Sequence, residues 1–357
     1  MITRLLLALA IVAPSLVVGQ PPRPATGVEG DYVIRDFRFA SGETLPALSL
    51  HYRTLGQPRR DAAGVVRNAV LIMHGTTGAG TQFLSPGFAN VLFGAGQPLD
   101  TGRYYVILPD GIGHGQSSRP SQGLHAHFPH YDYDDMVDAD HRLLIEKLGV
   151  SHLRLVMGTS MGGMHSWVFA ERYPDFMDAV VPLASVPTAI AGRNRMIRTM
   201  AMDDIRNDPS GKAGEYTSPP DGLRGALQML YIMSSAPLVQ QHDAPTRDSA
   251  DAVIRRFLDA RMRNTDANDF LYAFDASRNY NPEPMLSRIR VPLLAINSAD
   301  DQVNPPELGI VERLITRVPT GRFVLIPIGP ATRGHGTHTV AAVWKEQFAG
   351  FLNNLDH

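Results

Sequence analysis

Cysteine is absent from all 357 residues. That excludes a thiolate nucleophile, thiolate metal ligation and disulfides. An excess of one charge is also missing. There are 33 Lys and Arg against 35 Asp and Glu, a formal net charge of −2, and no clustered basic face of the kind a nucleic-acid partner requires. No internal repeat or low-complexity block interrupts the chain, and beyond Val18 no run is long and apolar enough to span a bilayer. Apolar residues are 44% of the chain and charged residues 19%, so a large core can be buried.

The N-terminus has its own character. Met1-Ile2-Thr3-Arg4 is a short positive lead, Leu5 to Val18 is almost wholly apolar, and Val17-Val18-Gly19 supplies small residues before Gln20. This is the pattern of a secretory signal peptide over residues 1–19. It implies a periplasmic or secreted mature protein without a stable membrane span. Residues 20–30, with several Pro and Gly, read as a tether, leaving 31–357 as the folded domain.

Residues 32–54 alternate and favour an opening antiparallel pair of strands. Short apolar runs then alternate with helical stretches: Ala69–Met73, Tyr105–Leu108, Leu153–Met157, Ala179–Leu183, Pro292–Ile296 and Phe323–Ile326. Continuous apolar runs of this length mark parallel strands covered on both faces, hence an α/β fold with a mostly parallel sheet. A helix is expected from about Met136, closed by Gly149, and another from Val340 to Leu352. Residues 187–288 break the rhythm. Helical patterns occur at Ile190–Ile205, Leu223–Met233 and Ala252–Met262 without a buried strand, as in a helical cap inserted over a site, or a separate domain.

Gly158-Thr159-Ser160-Met161-Gly162 has the form Gly-x-Ser-x-Gly. The motif alone is weak. Here it follows a predicted strand and precedes a predicted helix, the context of the nucleophile elbow of the α/β-hydrolase fold. The tight turn needs residues without side chains two positions either side of the serine, and the helix N-terminus favours developing negative charge. Ser160 is therefore the candidate nucleophile.

A serine hydroxyl needs a base to take its proton, and in this fold the acid and then the base follow late strands. Asp300 and Asp301 follow the strand ending at Ile296; His335 and His338 follow the strand ending at Ile326. Asp301 is preferred because it opens an Asp-x-x-x-Pro loop to Pro305. His335 is preferred because Gly334 precedes it, while His338 sits where the closing helix begins. Asp300 and His338 remain the alternatives.

His74-Gly75-Thr76-Thr77-Gly78 follows the first parallel strand, where an oxyanion-binding loop belongs; the backbone N–H groups of Thr76 and Met161 are the expected donors. Gly111–Ser118 is Gly-rich but lacks the lysine and helix spacing of a phosphate cradle. His125, His127 and His130 lie near Asp132, Asp134 and Asp135, but the last two can cap the helix from Met136, so neither a metal nor any other cofactor is expected.

Several longer stretches resemble the homoserine O-acetyltransferase branch of the α/β-hydrolase superfamily, from about Tyr52 to the C-terminus. They are Gly94–Tyr104, Asp135-Met136-Val137, His141–Leu144, Ser160–Met164, Arg172-Tyr173-Pro174, Ile205–Pro209 and Gly214-Glu215-Tyr216. The resemblance implies a helical cap, an acyl-enzyme mechanism and often a homodimer packed through the cap. It maps the family's serine, aspartate and histidine onto Ser160, Asp301 and His335, and its acceptor-holding arginine and tyrosine onto Arg206 and Tyr216. Departures stand at Thr159, where the family usually has Gly, at the His74–Gly78 loop, which is closer to esterases, and at Gly336, where the family usually has Asp. The leader also conflicts with a cytosolic acetyl-CoA-dependent transferase. The expectation is thus a secreted or periplasmic serine acyl hydrolase acting on a small-molecule acyl substrate. The alternatives are acyl transfer to a small hydroxylated acceptor, or a non-catalytic binding protein on the same scaffold.

Overall fold

The computed structural model describes residues 27–355. The leader expected at 1–19 and most of the tether expected at 20–30 lie outside the described residues.

The end of that tether needs correction. Strand β1 (Val28–Arg38) already includes Val28 to Gly30 and pairs antiparallel with β2 (Thr44–Leu55), Gly30 opposite Tyr52. Gly30 is a packing residue: a Cβ there would stand 2.6 Å from the Tyr52 hydroxyl. The remaining strands are β3 (Ala69–Met73), β4 (Tyr105–Pro109), β5 (Leu155–Thr159), β6 (Val180–Leu183), β7 (Leu293–Ser298) and β8 (Gly321–Ile326). They form one 8-stranded sheet in the order β1-β2-β4-β3-β5-β6-β7-β8. β2 runs antiparallel to β4, and every later pairing is parallel.

Alternation across the pleat sends successive residues of β3 to opposite faces. Leu71 and Met73 join one buried cluster, Val70 and Ile72 the other. Helices α1 (Pro86–Leu92), α2 (Tyr133–Arg142) and α3 (Met161–Arg172) cover these faces with the later helices α9 (Ile310–Leu314) and α10 (Lys345–Asn353). Trp167 of α3 is buried on the first face and Trp344, just before α10, on the second. This two-sided cover is why the strands are apolar throughout.

Helix α2 starts earlier than expected and is capped differently. Asp132 is the N-cap: its carboxylate accepts the Asp135 N–H at 3.0 Å, and the Asp135 carboxylate accepts the Asp132 N–H at 3.0 Å. The reciprocal pair satisfies two helix-end donors. Asp134 pairs with Arg172 at 3.2 Å.

The same helix buries Asp140, whose carboxyl has one oxygen without a partner. Burial, reinforced by the charge of Asp110, pushes its pKa up to about 8. A folded-state pKa above the unfolded value (~3.9) means that the native state holds a proton the unfolded state has released. This group's contribution to stability is therefore full below about pH 4 and is lost as pH rises toward 8. Asp140→Asn should remove that dependence. Its stability relative to the parent protein should rise with pH across this window, by up to ~1.4 kcal/mol per unit. Chemical denaturation at pH 4.5 and pH 8 measures it; parallel pH profiles would contradict the assignment.

Between β6 and β7 lie α4 (Gly192–Arg206), α5 (Asp221–Ser234), α6 (Pro237–Asp243), α7 (Arg247–Asn264) and α8 (Ala267–Asp275). No strand interrupts them among the described residues. Ile197, Ala201 and Ile205 recur at helical spacing on α4 and meet Leu223 and Leu227 of α5 and Phe270 and Phe274 of α8. The insertion thus has its own core, into which Val303, beside Asp301, also packs.

The order of strands locates the site. The chain adds β4 on one side of β3 and then crosses to place β5 on the other. At such a reversal the loops leaving the carboxyl ends of neighbouring strands diverge and open a crevice. Here those loops begin at His74 and Ser160.

Candidate active site

Ser160 sits between the end of β5 and the start of α3 with φ 56° and ψ −112°. This backbone geometry is costly for a residue with a side chain, and its surroundings over-determine it. A Cβ on Gly158 would lie 2.2 Å from the Gly162 carbonyl oxygen, and one on Gly162 would lie 1.9 Å from that of Met73. The Ser160 N–H donates to Leu183 O at 2.9 Å and the Gly162 N–H to His74 O at 2.9 Å. The elbow is thereby pinned to β6 on one side and to the loop after β3 on the other.

The structure brings Ser160, His335 and Asp301 together from positions far apart in the chain. His335 Nε2 is 2.7 Å from Ser160 Oγ, and His335 Nδ1 is 2.8 Å from Asp301 Oδ2. With Asp301 accepting from Nδ1–H, Nε2 is left as the acceptor for the serine proton. Asp301 is buried and receives the N–H groups of Val303 at 2.7 Å and Asn304 at 3.1 Å. Burial by itself would raise its pKa. The neighbouring His335, its hydrogen bond and those two backbone donors outweigh burial and hold the carboxyl below its ordinary value.

The alternatives fall elsewhere. Asp300 accepts the Gly334 N–H at 2.9 Å and the Ser298 hydroxyl, so it ties the acid loop to the histidine loop without touching His335. His338 is half-buried, with its Nδ1 buried and unpartnered among the described residues and its ring edge-on to His335 at 5.3 Å. Burial, then the charge of His335, lowers its pKa to about 3, so it stays neutral.

The loop after β3 lies against the serine: a Cβ on Gly75 would be 3.5 Å from Ser160 Cβ. Among the described residues, neither the Thr76 nor the Met161 N–H has a protein acceptor. His74, buried, anchors the loop. Its Nδ1–H donates to Gly75 O at 2.8 Å while Nε2 accepts the Gly111 N–H at 2.9 Å. Burial, then the neighbouring His114, lowers its pKa to about 4, which keeps Nε2 free to accept.

Gln82 was not anticipated. Its Nε2–H donates to Thr159 Oγ1 at 2.8 Å, and its Oε1 faces the Gly75 N–H at 3.4 Å. It therefore bridges the elbow and the neighbouring loop. The only sequence signal for it was the unusual Thr159. Asn304, which reaches Asp301 Oδ2 at 3.3 Å and Ala184 O at 2.9 Å, was also missed.

Arg206 and Tyr216 are not part of this chain of contacts. Both line a cavity of about 330 Å³ between the insertion and the loop around His130, and neither Ser160 nor His335 is on its wall. Arg206 faces Asp275 at 3.6 Å, and the Tyr216 hydroxyl accepts the Asn268 N–H at 3.0 Å. In this conformation they are occupied in holding the insertion together. His130 points to Glu43 at 3.3 Å, and among the described residues no group of three acidic or imidazole side chains is arranged to hold a metal ion.

Comparison with known proteins identifies the family of the fold. Residues 68–314 match the family model for the alpha/beta hydrolase fold. A homoserine O-acetyltransferase of Pelobacter propionicus is 32% identical over 315 residues, 78% of this chain and 83% of that one. Among solved structures, a homoserine O-acetyltransferase from Bacillus anthracis superposes with TM-score 0.80 at 21% identity, covering 92% of this chain and 98% of that one. An acetylester hydrolase from Corynebacterium glutamicum superposes with TM-score 0.78 at 21% identity, covering 92% and 95%. The chain is an enzyme of the serine-type α/β-hydrolase family and belongs to its homoserine O-acetyltransferase-like branch.

Proposed function

We propose that this enzyme takes a short acyl group from an ester or thioester onto Ser160 and passes it to a small hydroxylated acceptor. The observation that carries the chemistry is the 2.7 Å contact between Ser160 Oγ and His335 Nε2, continued to Asp301 at 2.8 Å. Ser160 Oγ attacks the acyl carbon as His335 takes its proton. The carbonyl oxygen, now negative, is received by the Thr76 and Met161 N–H groups. Collapse breaks the bond to the leaving group, which departs with the proton from His335. The acceptor hydroxyl then enters, gives its proton to His335 and attacks the acyl-serine; the second collapse returns the proton to Ser160. Asp301, kept ionised, stabilises the imidazolium in both halves.

The acceptor is argued from relatedness: the P. propionicus relative is named for acetyl transfer to homoserine. Hydrolysis, with water as acceptor, is the second reading. It is favoured by Arg206 and Tyr216 being engaged with Asp275 and Asn268, and by the expected leader at 1–19, which would carry the chain away from cytosolic acetyl-CoA.

Partitioning of one donor separates the readings. With p-nitrophenyl acetate and millimolar homoserine, transfer predicts that most of the acetyl group appears as O-acetylhomoserine, with nitrophenol release accelerated. Free acetate in unchanged yield would overturn it and leave the hydrolase.

A further inference from the structure

A second cavity, of about 160 Å³, lies between the loop after β3 and the helical insertion. Thr76, Thr77 and Gly78 form one side of it, and Leu227, Phe270 and Phe274 belong to the other. Ser160 and His335 are not on its wall; what links it to them is Thr76, which directly follows Gly75, the residue packed against Ser160.

Its charged side chains are Arg119, Arg261, Asp266 and Asp269. Three are already engaged. Asp269 accepts the Ser121 N–H at 2.8 Å and its hydroxyl at 2.7 Å, and faces Arg119 at 3.6 Å. Asp266 caps α8, accepting the Asn268 N–H at 2.9 Å and the Asp269 N–H at 3.1 Å. His114 is buried, and burial lowers its pKa, so it adds no charge at neutral pH. Arg261 is different. Half-buried on α7, it makes no ion pair or hydrogen bond among the described residues; its contact is the Phe257 ring, 5.9 Å away.

A second unbalanced cation lies behind the same wall. Arg198 is fully buried, with its guanidinium carbon 5.2 Å from the centre of the Phe274 ring. It donates to the neutral Asn194 side chain at 2.9 Å and to the Ser277 hydroxyl at 3.2 Å, and no carboxylate accompanies it among the described residues. Cations sheltered from water without a counter-charge are costly. The cavity thus holds two arginines and two aspartates, and of these four Arg261 is the one without a hydrogen-bond or ion-pair partner among the described residues, in a wall it shares with Leu227, Phe270 and Phe274.

We infer that Arg261 recognises a carboxylate carried by the substrate, so that the preferred ester has a short apolar body and an anionic end. This rests on the acyl-Ser160 reading. A guanidinium fork matches a carboxylate in two parallel hydrogen bonds, which an ammonium cannot reproduce. Arg261 would act as a specificity residue: the carboxylate docks against it while the ester carbonyl enters beside Thr76.

The test uses ester pairs that differ only by a terminal carboxylate. On the acyl side the pair is p-nitrophenyl hemiglutarate and p-nitrophenyl pentanoate; on the alcohol side it is acetoxypropanoate and propyl acetate. Arg261→Met keeps the apolar stem over Phe257 and should leave the melting temperature unchanged. It should lower kcat/KM about tenfold or more for the anionic member of at least one pair, mainly through KM, with both neutral esters within about twofold. Arg261→Lys should recover part of the loss. Equal effects on anionic and neutral esters, or none on either, would overturn the inference. Retention of all turnover in Ser160→Ala would instead bring down the acyl-serine reading beneath it.

Discussion

Ser160→Ala is expected to lower kcat for ester turnover by about 10⁴-fold or more while the melting temperature stays put. The size of the loss follows from the geometry. Ser160 Oγ is the atom held 2.7 Å from His335 Nε2, and no other hydroxyl is hydrogen-bonded to that nitrogen among the described residues. The fold should tolerate the change. The strained φ of 56° is enforced by Gly158, Gly162 and the bonds to Leu183 and His74 rather than by the hydroxyl. Some acceleration over water should survive, because the proposed oxyanion donors, the Thr76 and Met161 N–H groups, do not depend on the serine hydroxyl. Burst and steady-state kinetics with p-nitrophenyl acetate measure it: the burst should vanish with the turnover.

His335→Ala should be as damaging as Ser160→Ala, and the double variant little worse than either, since members of a proton-transfer chain act as a unit. His338→Ala is the internal control. Its ring lies 5.3 Å from that of His335, but burial keeps it neutral, with a pKa near 3, and it has no bond to Ser160 or Asp301. Its loss should open a small cavity, costing ~1–3 kcal/mol of stability, and leave kcat within about tenfold. A comparison of kcat and denaturation midpoint for the three variants checks this. If His338→Ala proved the catalytic null and His335→Ala the mild variant, the base would have been misassigned while the serine mechanism stood.

The order of Ser160, Asp301 and His335 was legible because parallel strands buried on both faces leave apolar runs, and the loops after those runs must carry the chemistry. Boundaries were less legible. Leu153 is apolar because it is buried at an isolated bridge to Met177, yet the ladder begins at Leu155. Val28–Gly30 looked like tether because glycine is read as flexible, whereas Gly30 is there to admit the Tyr52 ring. Helices α6 and α8 span 7 and 9 residues, too short for periodicity to identify them. Arg206 and Tyr216 could be matched to a motif, but their partners Asp275 and Asn268 lie 69 and 52 positions away in sequence, and only the packing of α8 brings them near. Gln82 escaped for the same reason: its role depends on Thr159, 77 positions distant.

The covalent intermediate on Ser160 is the centre of this account, and it can be seen directly. The enzyme is mixed with excess p-nitrophenyl acetate, quenched in acid within the first turnover and digested, and the peptides are weighed. An acetyl increment is expected on the peptide containing Gly158 to Gly162, localised to Ser160 and absent from Ser160→Ala. An acetyl group borne by another residue, or no adduct while nitrophenol is released in a full burst, would contradict it.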